Sequence, residues 1–165
     1  MTVDGLREEL VTLLPRLRRF ARALARDAQD ADDLVQTAIE RALAHAGQLR
    51  AGAPIAAWMF GILRNAWIDE QRARGRRGRL FLVTDAVEEV PDARAEPVES
   101  LAVQDALARL PEEQRLAVAL VLVEGLSYKE AAHIMEVPIG TLTSRLARAR
   151  EALQAMLGEH TELSR

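Results

Sequence analysis

The chain has 165 residues, 49% of them hydrophobic and 4% aromatic, and its net charge is −3 at neutral pH. This length fits one domain or two small ones, the apolar content argues against disorder throughout, and the absence of cysteine excludes disulfides, thiol redox chemistry and cysteine-based zinc sites. No apolar run approaches the roughly 18 residues that span a membrane, and the first residues lack a secretory pattern, so we expect a cytoplasmic protein without membrane insertion.

Charge is distributed unevenly along the chain. Residues 1–79 carry 14 arginines against 10 acidic residues, whereas residues 80–100 carry one arginine against six acidic residues. Residues 101–165 are nearly balanced, with 7 basic and 9 acidic residues. The acidic middle segment contains Pro91 and Pro97 and has no helical periodicity. We therefore predict two helical lobes, 1–79 and 101–165, joined by an acidic flexible linker at 80–100.

The first lobe is predicted to contain three amphipathic helices. Apolar residues recur at spacings of three and four over about 6–25, and Pro15 is predicted either to kink this helix or to mark its start. A second helix is predicted over about 30–43, after N-cap candidates such as Asp27. A third is predicted over about 55–74, after a loop that glycines and a proline bracket.

The third predicted helix joins aromatic residues to a basic face. Trp58 and Trp67 lie in its apolar stretch, and the opposite face carries Arg64, Asn65, Asp69, Arg72 and Arg76. Cations that bind phosphates beside aromatic rings that stack on bases suit single-stranded or melting DNA. The alternative interpretation is that both tryptophans belong to the core and that Asp69 and Arg72 form an ordinary i,i+3 pair. Gly75 and Gly78 are expected to weaken the helix at its end.

The second lobe is predicted to contain four helices, of which the last two form a helix-turn-helix. Their approximate ranges are 101–110, 111–123, 127–135 and 138–157. Ser127 opens a capping box with Glu130, and a tight turn follows around Val137. Leu142, Leu146 and Ala149 are predicted to pack inward, while the residues left outside include Thr141, Thr143, Ser144, Arg145 and Arg148.

This helix-turn-helix pattern is typical of a protein that reads DNA in the major groove. Small polar side chains let the second helix approach base edges, while arginines contact phosphates or guanine. The alternative is an ordinary helical hairpin whose outer face is simply solvated.

An acidic run near residue 30 allows two interpretations. The carboxylates of Asp30, Asp32 and Asp33 could hold Mg²⁺, but no second acidic cluster, phosphate loop or catalytic base accompanies them. Acids at a helix start more often cap the helix and oppose its dipole, and the functional alternative is a docking face for a protein partner. The three histidines are too scattered for metal ligation, so we predict no catalysis, no metal and no cofactor.

Taken in order, these stretches resemble a bacterial RNA polymerase sigma factor of the extracytoplasmic-function (ECF, group IV) type within the sigma-70 family. The resemblance covers nearly the whole chain. Residues 32–37 resemble region 2.2, residues 58–65 with Asp69 and Arg72 resemble regions 2.3 and 2.4, and residues 110–115, 125–132 and 140–150 resemble region 4. The fold that this implies is all-α, with a three-helix region 2 lobe and a four-helix region 4 lobe.

The resemblance also implies partners and site residues. Core RNA polymerase would bind through its β′ coiled coil and its β subunit, and the residues that grip the coiled coil would be Asp32, Asp33, Leu34, Gln36 and Thr37. The −10 promoter element would be melted and read by the loop at 47–54, which includes Arg50, and by Arg64, Asn65 and Arg72. The −35 element would be read by Thr141, Thr143, Ser144, Arg145 and Arg148. An anti-sigma factor would hold the protein inactive by covering the polymerase-facing surfaces of both lobes.

One position departs from the family pattern, and two other classes of protein stay open. Position 143 is Thr where the family often has Lys or Arg, so the usual −35 preference is not expected. The chain ends soon after the last predicted helix, so we expect no further C-terminal domain. The alternatives are a stand-alone helix-turn-helix regulator of duplex DNA and a structural or partner-binding helical protein. The basic third helix with its tryptophans favours the sigma factor, because a simple regulator has no need to capture melted bases.

Overall fold

The regular elements are helical throughout residues 2–50, 52–80 and 98–163, the part of the chain that this computed structural model describes. The predicted linker lies almost wholly outside these ranges. The α-helices are α1 Val3–Leu24, α2 Ala28–Ala44, α3 Ile55–Leu80, α4 Val98–Arg109, α5 Glu112–Val118, α6 Tyr128–Met135 and α7 Ile139–Leu163. A short 3-10 turn follows α2, and a π-helical turn at Ala119–Val123 continues α5. The predicted all-α class is confirmed, with α1–α3 as the N-terminal lobe and α4–α7 as the C-terminal lobe.

Helix α1 supplies the longest buried stripe of the N-terminal lobe. Its first turn is capped by Thr2, whose Oγ1 accepts a hydrogen bond from the Gly5 amide at 3.1 Å. The predicted periodicity is confirmed, since the buried positions follow helical spacing: Leu6, Leu10, Leu17, Phe20, Ala21 and Leu24. Helix α1 runs through Pro15, so the proline does not mark its start.

Helices α2 and α3 complete the N-terminal lobe by packing on α1 and on each other. Asp27 caps α2, and its Oδ1 accepts from the Asp30 amide at 2.7 Å. The rings of Phe20 and Phe60 meet at 5.0 Å between centroids, which joins α1 to α3. Helix α3 continues to Leu80, past the end predicted at residue 74. Glycine costs only about 1 kcal/mol in a helix interior, so two glycines do not end a helix of this length.

The C-terminal lobe contains the predicted helix-turn-helix, formed by α6 and α7. Gly125 has a φ of +70°, which lets the chain leave the π turn and enter α6. Ser127 caps α6, its Oγ accepting from the Glu130 amide at 3.1 Å. Glu136 adopts the left-handed conformation, φ 56°, in the turn between the two helices. The predicted inner face of α7 is confirmed, because Leu142, Leu146 and Ala149 are fully buried.

The two lobes pack against each other and share one connected apolar core. Helix α1 lies against α4, α5 and the π turn, while α3 lies against α6. Lobes of about 75 residues have thin cores of their own and gain stability from a partner's surface. In this arrangement each lobe supplies that surface to the other.

Replacing Ser127 with alanine is expected to lower the free energy of unfolding by about 1 kcal/mol. The Glu130 amide loses its acceptor at the start of α6, where the helix itself cannot supply one. Urea unfolding followed by circular dichroism measures the change. The matched control is Ser144→Ala on the exposed face of α7, which should leave the midpoint nearly unchanged. A Ser127→Ala midpoint equal to that of the unaltered protein would contradict the role of the cap.

Candidate functional site

A groove of about 330 Å³ lies between α2 and α3 on the N-terminal lobe. Three of the residues predicted to bind a protein partner line it, namely Asp33, Leu34 and Thr37. Asp33 is exposed, and Leu34 is only 7% exposed, so most of that side chain belongs to the core. The other two predicted residues, Asp32 and Gln36, are exposed on α2 and are not among the groove residues.

Ion pairs between α2 and α3 fix the shape of this groove. Arg74 Nη2 binds Asp30 Oδ2 at 2.6 Å, and this hydrogen bond raises the pKa of Arg74 above its ordinary value. Arg41 Nη1 binds Asp69 Oδ2 at 2.9 Å. The suggested i,i+3 pair within α3 is therefore wrong, because Asp69 pairs across the groove with Arg41 and not with Arg72. Arg72 remains exposed.

The acidic run at the start of α2 has local structural roles. Asp27 is the cap and Asp30 pairs with Arg74, while Asp33 accepts a hydrogen bond from Gln29 Nε2 at 3.4 Å. Thr37 Oγ1 donates to the backbone carbonyl of Asp33 at 3.0 Å. Within residues 2–50, 52–80 and 98–163, no group of three or more acidic, histidine or cysteine side chains is placed to hold a metal ion. In the same residues, no helix is long and apolar enough to cross a membrane.

The residues predicted to read the −10 element do not form one exposed face. Arg64 points into the C-terminal lobe, where Nη2 donates to the Met135 carbonyl at 3.4 Å and Nη1 lies 3.5 Å from Glu136 Oε2. Asn65 is exposed and accepts from Arg64 Nη1 at 3.1 Å. Arg50 is exposed in the loop after the 3-10 turn.

The tryptophans of α3 are mainly core residues, as the alternative interpretation held. Trp67 is buried, and its Nε1 donates to the Gln71 side-chain oxygen at 3.1 Å when that amide is oriented to satisfy both neighbours. In the same orientation the Gln71 nitrogen donates to Glu112 Oε1 of the C-terminal lobe at 3.1 Å. Trp58 is half-buried against the core. Trp67 therefore has no free face on which a base could stack.

The outer face of α7 carries three of the five predicted −35 residues in exposed positions. Ser144 and Arg148 are exposed, Thr141 is half-buried, and Thr143 is exposed. The hydroxyl of Thr143 donates back to the Ile139 carbonyl at 2.9 Å, so it is engaged within its own helix. Arg145 was predicted on the outside, and this is only partly correct. Its side chain is 23% exposed and lies 3.3 Å from Glu113 Oε2.

A second cleft, of about 420 Å³, lies between the lobes and is lined by three of the predicted DNA-binding arginines. Arg64 and Arg72 enter it from α3, and Arg145 enters it from α7. Glu112 and Glu113 at the start of α5 lie in the same cleft. The cleft therefore joins cations from both lobes to acids of the C-terminal lobe.

Two charged residues that join the lobes were missed by the sequence analysis. Glu124 is buried between the lobes and is bound by Arg16 and Arg19 of α1. Its hydrogen bond raises the pKa of Arg19 above the ordinary value. Arg115 donates to four backbone carbonyls, those of Leu24, Leu107, Ala108 and Leu110. Burial lowers the pKa of Arg115. Neither residue has a local sequence signal, because the α1 residues that each contacts lie more than 90 positions away in the chain.

Comparison with known proteins assigns the two lobes. The family described as "Sigma-70, region 4" matches residues 100–153, and the "Sigma2 domain of PhyR" matches residues 10–64. The chain is 37% identical over 164 residues to the ECF RNA polymerase sigma factor EcfG of Rhodopseudomonas palustris, covering 93% of this chain and 86% of the relative. It is 39% identical over 143 residues to the ECF RNA polymerase sigma factor SigM of Mycobacterium tuberculosis, covering 87% and 72% respectively.

A solved structure agrees with this assignment. The sigma factor RpoE of Bartonella quintana, in complex with the anti-sigma factor NepR, superposes with a TM-score of 0.81 at 34% identity. The match covers 94% of this chain and 98% of that one.

A basic helical lobe followed by a helix-turn-helix lobe defines a two-lobed transcription initiation factor of the sigma-70 kind. The chain belongs to the extracytoplasmic-function family of RNA polymerase sigma factors. It therefore directs RNA polymerase to promoters, and the comparisons favour this function over a stand-alone regulator.

Proposed function

We propose that the two lobes divide promoter recognition between them. Residues 1–79 bind core polymerase and the −10 element, residues 101–165 read the −35 element, and residues 80–100 connect them toward the polymerase active centre. The observation that carries this proposal is the helix-turn-helix of α6 and α7, whose outer face carries small polar residues and Arg148 over a fully buried inner face. The protein works in the cytoplasm and has no catalytic chemistry of its own.

The groove between α2 and α3 is the proposed polymerase contact. Asp33 is exposed on its rim beside the half-buried Thr37, and exposed Asp32 and Gln36 extend the same helix surface. Leu34 is buried in the core directly beneath this helix surface. A coiled coil presents polar side chains along a ridge, and a shallow groove with carboxylates and a hydroxyl can accept it through charge-assisted hydrogen bonds.

The −10 element is the proposed ligand of exposed polar and basic residues of the N-terminal lobe. Arg50, Asn65 and Arg72 are each exposed, and Arg64 joins them once it leaves Glu136. Because Trp67 is buried, melted bases are captured by the loop at 47–54 and by polar side chains, with no stacking on that ring.

The −35 element is the proposed ligand of α7. Ser144 and Arg148 stand on its exposed face, and Arg145 becomes available when it leaves Glu113. Thr143 has a short side chain whose hydroxyl is already bonded to Ile139, so it does not replace a lysine or arginine contact.

An anti-sigma factor is the proposed inhibitor. The related RpoE of Bartonella quintana forms a complex with the anti-sigma factor NepR. The match between this chain and RpoE covers 98% of the RpoE chain. An inhibitor of that kind would cover the polymerase-facing surfaces of both lobes.

Run-off transcription with bacterial core polymerase, on fragments of the source genome, tests the proposed function. Specific transcripts that appear only when this protein is added would support it, and their start sites would identify both promoter elements. No specific transcripts, together with tight binding of the free protein to duplex DNA, would instead indicate a stand-alone regulator.

Asp33→Asn is expected to weaken binding to core polymerase by roughly 10- to 150-fold, the effect of losing a hydrogen bond to a charged group worth about 1.5–3 kcal/mol. The substitution keeps the side-chain shape and removes the charge on the rim of the groove. Fluorescence anisotropy of the labelled protein titrated with core polymerase measures the affinity. Glu9→Gln, an exposed acid on α1, is the matched control and should bind as the unaltered protein does. An Asp33→Asn affinity equal to that of the control would rule out this contact.

A further inference from the structure

Among the described residues of α7, one large apolar side chain is exposed. Ile139, the first residue of that helix, is 49% exposed. The other large apolar side chains are buried or half-buried, namely Leu142, Leu146, Leu153, Met156 and Leu157. A single exposed isoleucine is ordinary on a protein surface. The second helix of a helix-turn-helix, however, contacts base edges with its N-terminal residues, and Ile139 lies at that end.

Thr143 extends this apolar surface by one helical turn. Residues four apart lie on the same face of a helix, so the exposed Thr143 is the neighbour of Ile139. The Thr143 hydroxyl donates to the Ile139 carbonyl at 2.9 Å, which commits its proton to the helix and leaves a methyl group as the other end of the side chain. The exposed Ala147, one further turn along, also ends in a methyl group. Together Ile139, Thr143 and Ala147 form an uncharged row, which we call the methyl row.

The methyl row is separate from the hydrogen-bonding part of the same helix. Successive residues are about 100° apart around a helix, so the row drifts by only about 40° from one member to the next. Ser144 and Arg148 each follow a member of the row by one position and lie about 100° further round. The N-terminal half of α7 therefore presents two different surfaces, one with hydrogen-bond donors and one with methyl groups.

The space beside the start of the methyl row is open. Gly140 follows Ile139, and an added Cβ there would meet no described atom within 4 Å beyond its chain neighbours and the backbone of its own helix. Without a side chain at that position, the backbone of the first turn can come close to another molecule. A close approach to DNA would carry Ile139 and Thr143 past the phosphates to the base edges.

Thymine is the base that offers an apolar group in the major groove. It carries a 5-methyl group there, whereas the other groups on the base edges are hydrogen-bond donors and acceptors. A lysine or arginine at position 143 would bind guanine O6 and N7, which a threonine with a committed hydroxyl proton does not. Packing the thymine methyl against the methyl row removes apolar surface of both partners from water, which stabilises the contact. The methyl row therefore matches A·T base pairs.

We propose that Ile139 and the methyl group of Thr143 contact 5-methyl groups of thymine in the major groove of the −35 element, so that the start of α7 selects A·T base pairs. This contact rests on the proposed function of α7 as the reader of that element. It assigns part of the sequence specificity to side chains that carry no charge.

Deoxyuridine tests this contact, because it differs from thymidine in lacking the 5-methyl group. Holoenzyme binding is measured by fluorescence anisotropy on the promoter duplex mapped by run-off transcription, with each −35 thymine replaced in turn. At least one replacement should weaken binding by the unaltered protein about fourfold, the effect of one buried methyl group. In Ile139→Ala at least one such penalty should disappear. Leu101→Ala removes a leucine of the same lobe that is 53% exposed, and this matched control should keep every penalty.

Two variants at position 143 separate the methyl group from the hydroxyl. Thr143→Ser keeps the hydroxyl that donates to Ile139 and removes the methyl group, whereas Thr143→Val keeps a methyl group and removes the hydroxyl. Thr143→Ser should therefore lose a deoxyuridine penalty that Thr143→Val retains. Both Ile139 and Thr143 are exposed, so these substitutions leave the buried face of α7 intact.

The outcomes distinguish this contact from the proposed function. Transcription that depends on the protein but shows no deoxyuridine penalty would overturn the contact alone. Penalties that persist unchanged in both Ile139→Ala and Thr143→Ser would also overturn it, since other residues would then read the thymines. A mapped −35 element without any A·T pair would do the same. The absence of protein-dependent transcripts would contradict the proposed function itself, and the thymine contact with it.

Discussion

Phe20→Ala is expected to lower the free energy of unfolding by about 3–5 kcal/mol, among the largest effects of any single change in this protein. Phe20 is fully buried, and its ring packs on Phe60 across the interface between α1 and α3. Phe60 also lies under the Arg16 guanidinium, 5.3 Å from the ring centroid. Truncation therefore leaves a cavity and loosens the surface on which that arginine rests. Domains are typically stable by about 5–15 kcal/mol, so the loss is a large fraction of the total.

Urea unfolding monitored by circular dichroism measures the effect of Phe20→Ala. The matched control is Val11→Ala in the same helix, where the side chain is 72% exposed and the change should stay within about 0.5 kcal/mol. A loss below about 1 kcal/mol for Phe20→Ala would mean that the core around Phe60 collapses to fill the space or is not packed as described.

Arg148→Ala is expected to weaken promoter recognition by about 1–3 kcal/mol, or roughly 5- to 150-fold. Arg148 is exposed on the outer face of α7, and removing it leaves the buried face untouched. If the guanidinium contacts a base, substitution of that base pair should weaken DNA binding by the unaltered protein but not by the Arg148→Ala variant. If it contacts a phosphate instead, Arg148→Ala should lower the affinity for all DNA sequences by about the same factor.

Arg150→Ala is the matched control for this measurement. Successive helical residues are about 100° apart, so Arg148 and Arg150 lie on opposite sides of the buried Ala149. Holoenzyme binding to promoter duplex, measured by mobility shift at fixed salt, compares the two variants. Equal affinities for Arg148→Ala and Arg150→Ala would exclude α7 from −35 recognition through this residue.

Much of the fold could be predicted from the sequence, because helical periodicity reports directly on burial. The apolar stripe of α1 was predicted from its helical spacing, the inner face of α7 was predicted at Leu142, Leu146 and Ala149, and Ser127 was recognised as a cap from its spacing to Glu130. The predicted end of α3 was wrong, because the low helix propensity of two glycines is only a small unfavourable contribution in a long helix. Pro15 was left between two interpretations, and α1 contains it without interruption.

The sequence predicted which helix faces of the candidate site are polar, but not what surrounds the side chains on them. A periodic pattern reveals which face of a helix is polar, yet it does not reveal what covers that face. Arg64 and Arg145 were predicted on polar outer faces, yet both line the cleft between the lobes and are mostly covered. Asp69 was assigned to the nearest cation in sequence, whereas its partner Arg41 lies on a neighbouring helix. The arginine pair that holds Glu124 is separated from it by more than 100 residues, a distance over which local patterns carry no information.

The shared core also has a consequence for synthesis on the ribosome. Helices form within microseconds, so the helices of the N-terminal lobe can form as soon as α3 emerges. Helix α7 ends 83 residues after α3, a delay of roughly 4–17 s at about 5–20 residues per second. During that time the face of α1 that later meets Glu124 is open to solvent, flanked by the positive charges of Arg16 and Arg19. The nascent N-terminal lobe is therefore accessible to a partner of complementary shape before the C-terminal lobe has been synthesised and can cover it.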